Sequence, residues 1–240
     1  MEKIHAADDR IIIALDVDHF HKMKAVVAEL GDRVSFYKVG MELYYAAGSE
    51  TVTWLCEQGK QVFLDLKMYD IPNTVAKGIV SAARSGATLI TIHASGGRRM
   101  MEAAVEAAHK VGRGKQRPKI LAVTVLTSFD EMLWKETGET LSVKDKVLHL
   151  AKLAKKSGVD GVVASPHEAE AIRQLCGADF EIVTPGIRPA FAGKDDQKRV
   201  AAPKTALAAG ASRLVIGRPV TQAEDPKKAM DMILKEIKGE

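Results

Sequence analysis

Short, nearly continuous apolar runs alternate with longer stretches of helical spacing along the chain. The runs lie at 11–15, 35–39, 62–66, 89–93, 120–126, 161–164, 181–184 and 213–216. Runs that are apolar on both faces, rather than alternating with polar residues, predict strands buried on both sides in a parallel sheet. Between them apolar positions recur at three- and four-residue steps, as Val75, Ile79, Ala82 and Ala83 do within 74–84. That spacing predicts helices with one buried face. Gly31, Gly59, Gly86, Gly158 and Gly210 each stand shortly before the next strand, where a helix C-cap favours glycine.

Eight strand–helix units in 240 residues predict an α/β chain folded as one (β/α)8 TIM barrel domain over 1–240. The alternative, a doubly wound open sheet, would carry G-x-G-x-x-G after its first strand if it bound a dinucleotide. Here the first strand is followed by Asp16-Val17-Asp18. The barrel is the better fit.

Composition narrows the function classes. Hydrophobic residues at 46% and charged ones at 28% describe an ordinary globular chain and exclude disordered and collagen-like classes. A net charge of +4 favours small anionic ligands over nucleic acid, because aromatics at 5% leave little material for base stacking. The basic stretch Arg113, Lys115, Arg117 and Lys119 reads as a solvated connection. Cys56 and Cys176 stand far apart in apolar helical contexts, which predicts free thiols. Neither a signal core nor a run approaching the roughly 20 apolar residues of a membrane span is present, so a soluble cytoplasmic protein is expected.

In a barrel, chemistry belongs where strands end and the following loops begin. Asp16 ends the first strand, and Lys38 interrupts the apolar second run. The third continues as Asp65-Leu66-Lys67-Met68-Tyr69-Asp70, and strand alternation puts Asp65 and Lys67 on one face. One buried Asp–Lys pair could simply close a barrel. Lys38, Asp65, Lys67 and Asp70 together form an alternating set in which each charge can satisfy the next. A lysine held between carboxylates keeps its proton, stabilises a developing carbanion and can then protonate it. At the other end of the chain, Pro185-Gly186-Ile187-Arg188 and Ile216-Gly217-Arg218 follow the seventh and eighth strands, the usual phosphate position in barrels. The polar segment 188–199, after the seventh strand, predicts a mobile lid. His93 reads as a hydrogen-bonded strand-end histidine, His19 and His21 as a solvated helix start, and Met100 and Met101 as core. No His/Cys cluster has metal-ligand spacing.

Five segments, Ile13-Ala14-Leu15-Asp16, Lys38-Val39-Gly40, the stretch from Asp65 to Thr74, Thr184-Pro185-Gly186-Ile187-Arg188 and Val215-Ile216-Gly217-Arg218, resemble the orotidine 5′-phosphate decarboxylase family in its bacterial branch. The resemblance covers essentially the whole chain, and D-x-K-x-x-D-I-P-x-T is its most specific part. It implies a homodimeric (β/α)8 barrel that converts orotidine 5′-monophosphate to uridine 5′-monophosphate and carbon dioxide, the last step of de novo synthesis of that nucleotide, with no metal or organic cofactor. It implies that Lys67 protonates C6 of the pyrimidine while Asp65 lies beside the departing carboxylate. Lys38 would stand in the same array near the ribose, and Asp70 would come from the partner subunit. Asp16 and Thr74 would hold ribose hydroxyls, Thr74 again from the partner, with Thr127 lining the pocket. Arg188, Gln197, Gly217 and Arg218 would hold the phosphate, with Gln197 on the mobile loop.

Two rivals remain. A metal-dependent sugar-phosphate decarboxylase or aldolase of the same superfamily would share D-x-K-x-x-D, but such enzymes place an acidic metal ligand where this chain has Lys38. A non-catalytic nucleotide- or RNA-binding protein would leave the buried charges unexplained.

Overall fold

A computed structural model describes residues 7–112, 117–192 and 200–239. All eight expected strands form: β1 (Ile11–Ala14), β2 (Phe36–Gly40), β3 (Gln61–Met68), β4 (Leu89–His93), β5 (Lys119–Val123), β6 (Gly161–Val163), β7 (Glu181–Thr184) and β8 (Arg213–Ile216). They pair in parallel and in chain order, and β8 closes on β1 through Ile11–Leu214, Ile12–Val215 and Ile13–Ile216. The fold is a (β/α)8 TIM barrel. The helices between strands are α1 (Phe20–Leu30), α2 (Met41–Ala47), α3 (Glu50–Glu57), α4 (Pro72–Arg84), α5 (Gly97–Val111), α6 (Glu131–Glu136), α7 (Val143–Lys156), α8 (Ala169–Cys176) and α9 (Pro203–Ala208). After β8 come α10 (Arg218–Thr221) and α11 (Pro226–Lys238).

Because strand side chains alternate, one continuous apolar run supplies two cores. Ile12, Ala14, Phe36, Phe63, Leu89, Leu121, Val183 and Val215 fill the barrel. Their neighbours Ile11, Ile13, Tyr37, Val39, Val62, Leu64, Ile90 and Ile92 point outward into the apolar stripes of the helices. In α4 that stripe is Val75, Ile79 and Ala82, and Met100 and Met101 of α5 are core as expected. The same alternation decides which polar residues face the barrel axis. Inward parity continues from Ile12 and Ala14 to Asp16, from Phe36 to Lys38, from Phe63 to Asp65, and from Leu89 to Thr91 and His93.

Two local devices set the ends of elements. Pro72 starts α4, where its missing N–H is not needed. The five expected C-cap glycines all have positive φ, and Gly86 (φ 97°) also has no room for a side chain, since a β-carbon there would lie 2.8 Å from Cys56 Sγ. Cys56 and Cys176 are free, and burial raises both thiols above their ordinary pKa. The basic connection is partly paired: Arg117 meets Asp160 at 2.6 Å, and Lys119 bonds Glu181 where β5 and β7 begin. Arg113 and Lys115 lie outside the described residues. No described helix is long and apolar enough to cross a membrane.

Candidate active site

At the C-terminal mouth, β3 departs from regular pairing. Leu64 faces Ile90 and Met68 faces Ile92, so β3 advances four residues while β4 advances two. The extra length is taken up at Lys67, whose φ of 52° is unique among the described non-glycine residues. Left-handed backbone costs an L-residue roughly 1–2 kcal/mol, and such strain persists where surrounding contacts over-determine it. The contacts here are specific. Lys67 Nζ donates to Asp65 Oδ2 at 2.8 Å, and the Lys67 backbone N–H donates to Thr91 Oγ1 at 2.8 Å. The Thr91 hydroxyl in turn donates to Asp65 Oδ1 at 3.0 Å. Asp65 is thus buried with both carboxylate oxygens occupied.

A second pair stands beside the first. Lys38 Nζ donates to Asp16 Oδ1 at 3.0 Å, with the lysine side chain only 12% exposed and the aspartate 55%. Gly40 joins the two pairs: it faces Asp65 in the β2–β3 register, and its open side adjoins the Lys38 ammonium. His93, inward on β4, has its pKa pushed below the ordinary value, mainly by burial and secondarily by the Lys67 ammonium, with Asp65 opposing. Its ring packs against Tyr69, 5.7 Å between centroids.

A pocket of about 190 Å³ is lined by Asp16, Lys38, Gly186, Arg188, Gly217 and Arg218 among others. It brings β1 and β2 residues to the two loops expected to bind phosphate. The stem of the loop after β7 is pinned by a bridge between Ile187 and Ala201: Arg188 N–H donates to Ala201 O at 2.9 Å, and Ala201 N–H to Gly186 O at 3.2 Å. Gln197 lies outside the described residues. Thr127 is half-buried in the turn after β5. Asp70 and Thr74 are exposed where β3 passes into α4, and Asp70 Oδ1 accepts from the Ile71 N–H at 2.6 Å. Within one chain, then, the charges form two pairs, Lys38–Asp16 and Lys67–Asp65, with Asp70 outside both. A roomier groove of about 540 Å³ runs between α4 and α5. Its charged residues, Lys77, Arg84, Glu106 and Lys110, are exposed, so we place the site at the charged mouth instead.

The sequence reading did not single out Thr91 or assign a purpose to Gly40. Both occupy inward positions, Gly40 two residues after Lys38 and Thr91 two residues before His93, and that parity was the available signal.

A family model for the orotidine 5′-phosphate decarboxylase / HUMPS family matches residues 9–233. The chain belongs to this family. Among its relatives, an orotidine 5′-phosphate decarboxylase of Pelobacter propionicus is 50% identical over 231 residues, 96% of either chain. One of Geobacter sulfurreducens is 50% identical over 231 residues, 96% of this chain and 97% of the relative. The crystal structure of orotidine 5′-phosphate decarboxylase from Lactobacillus acidophilus matches with a TM-score of 0.85 and 44% identity, over 96% of this chain and 99% of that one. Membership of the decarboxylase / HUMPS family bears out the resemblance read from the five segments, and the shared architecture agrees with the barrel.

Proposed function

We propose that this protein decarboxylates orotidine 5′-monophosphate to uridine 5′-monophosphate and carbon dioxide. The observation that carries this is the Lys67–Asp65 pair, held at the barrel mouth on a strained bulge and adjoining a pocket with two arginines. The phosphate lies against Arg188, Arg218 and the Gly217 backbone, joined by Gln197. Asp16 takes ribose hydroxyls, Lys38 stands between ribose and base, and Thr127 lines the pocket. The C6 carboxylate comes to rest beside Asp65, where two negative charges in a water-poor site raise the ground state. As the C6–carboxylate bond breaks, its electron pair stays on C6 and carbon dioxide leaves. The Lys67 ammonium stabilises that charge and transfers a proton to C6, forming the C6–H bond. Solvent then reprotonates the lysine.

The protein acts in the cytoplasm as a homodimer whose subunits exchange Asp70 and Thr74. Two exposed apolar side chains flank Asp70, Tyr69 at 63% and Ile71 at 66%, and such a patch suits coverage by a second copy. Neither nucleic acid nor membrane enters this scheme. A metal-dependent sugar-phosphate reaction is disfavoured by Lys38, whose ammonium, paired with Asp16, stands where that class keeps an acidic metal ligand. Purified protein given orotidine 5′-monophosphate with and without EDTA decides between them. Equal turnover in both supports decarboxylation without metal, whereas loss in EDTA, or no turnover by folded protein, refutes it.

A further inference from the structure

We infer that Thr91 is a positioning residue for the decarboxylation, its one hydroxyl fixing both the Lys67 backbone and the Asp65 carboxylate. This rests on the assignment of Lys67 and Asp65 to the reaction made above.

At the β3 bulge the usual ladder of backbone carbonyls slips out of register with Lys67, and a displaced N–H needs another acceptor. Thr91 Oγ1 provides it at 2.8 Å. Having accepted that bond, the hydroxyl directs its single proton to Asp65 Oδ1 at 3.0 Å. The other oxygen, Oδ2, is thereby turned toward Lys67 Nζ. One fully buried side chain therefore sets where the ammonium's strand sits and which way its carboxylate partner faces. When Lys67 gives up its proton, the ion pair with Asp65 disappears for that moment. The Thr91 bond remains, so the carboxylate keeps its orientation for the next cycle.

The other buried threonines do nothing comparable. Thr51 and Thr124 donate only to backbone carbonyls, and the Thr184 hydroxyl is unpartnered among the described residues. Simple strand-filling therefore does not account for the arrangement at Thr91. Valine has nearly the same shape but lacks the hydroxyl, so Thr91→Val leaves one N–H and one carboxylate oxygen without their partners.

The test is steady-state kinetics on orotidine 5′-monophosphate for the wild type, Thr91→Val, Thr91→Ser and Lys67→Ala, with product affinity measured alongside. Thr91→Val is expected to lower kcat about 10–100-fold, the scale of sub-ångström to ångström misplacement of a reacting group. KM and the affinity for uridine 5′-monophosphate should stay within a few-fold, since the phosphate ligands belong to other strands. Thr91→Ser keeps the hydroxyl and should stay within about threefold of wild-type kcat. Wild-type kcat in Thr91→Val overturns the inference, as does a rise in KM with kcat unchanged. An equal loss in Thr91→Ser would assign the effect to methyl packing and overturn it too. If Thr91→Val does not fold, Thr91→Ser decides alone, with near-wild-type kcat in favour and a tenfold loss against. An inactive wild type, or an active Lys67→Ala, overturns the parent assignment and this inference with it. An active wild type, an inert Lys67→Ala and an unimpaired Thr91→Val overturn the role of Thr91 alone.

Discussion

The Lys38 ammonium occupies the space a side chain would need at Gly40: a β-carbon there would lie 2.9 Å from Lys38 Nζ and 3.7 Å from Asp16 Oδ1. Gly40 has φ −95°, which any residue can adopt, so its requirement for glycine comes from the site rather than from the backbone. Gly40→Ala can be accommodated by moving the end of a flexible lysine, and stability should change by no more than about 1 kcal/mol. The displaced ammonium leaves Asp16 and the pocket, so kcat/KM for orotidine 5′-monophosphate should fall about tenfold or more. Unchanged kinetics in a folded Gly40→Ala protein would show that Lys38 does not need its present position.

His93 gives a pH signature. Its pKa lies below the ordinary value because of burial and the neighbouring Lys67 ammonium, with Asp65 opposing. Below about pH 6.5 the unfolded chain therefore binds a proton that the folded one resists. The stability associated with the neutral imidazole is present above that pH and is lost as pH falls toward the depressed native value. His93→Gln should accordingly flatten the fall in the thermal midpoint between about pH 7 and pH 5. Parallel curves for the two proteins would contradict a depressed pKa.

How far the sequence revealed the molecule depends on whether a feature is local. The strands were legible because each is an apolar run; Lys38 and Asp65 were legible as charges inside such runs, and Lys67 as a charge two residues on from Asp65 just past the third. The fifth strand was drawn too long, to residue 126. Val125 is buried and extends the apolar pattern, although sheet pairing ends at Val123. Apolar character marks burial there, not pairing. The bulge at Lys67 depends on how β3 registers against β4, and the importance of Thr91 and Gly40 depends on what faces them across a strand pair. Cross-strand relationships of that kind cannot be read from one strand alone. Asp70 and Thr74 stand exposed on the described chain, and the place proposed for them in a site requires a second copy.

A shared active site predicts complementation. Lys67→Ala and Asp70→Ala homodimers should each be nearly inactive. In a mixed twofold dimer with exchange, one site carries both defects and the other neither. Random reassortment makes half the dimers mixed, so activity should return to roughly a quarter of the wild-type value per site. If mass spectrometry shows mixed dimers while activity stays at background, Asp70 acts within its own subunit.

The left-handed backbone at Lys67 also has a stability consequence. Lys67→Ala and Lys67→Gly both remove the ammonium, but only glycine relieves the positive φ. The glycine variant should be about 1 kcal/mol more stable to denaturant than the alanine variant, despite its more flexible unfolded chain. Equal stabilities, or a less stable glycine variant, would show that the bulge holds no such strain.

The most direct test of the central claim is kcat for the wild type and Lys67→Ala at saturating orotidine 5′-monophosphate, followed by the ultraviolet change as the carboxylate is lost. The wild type should turn over, and the folded variant should still bind uridine 5′-monophosphate while kcat falls at least about 100-fold, the ordinary contribution of a positioned acid. A Lys67→Ala protein that keeps more than about a tenth of wild-type kcat would contradict proton delivery by Lys67.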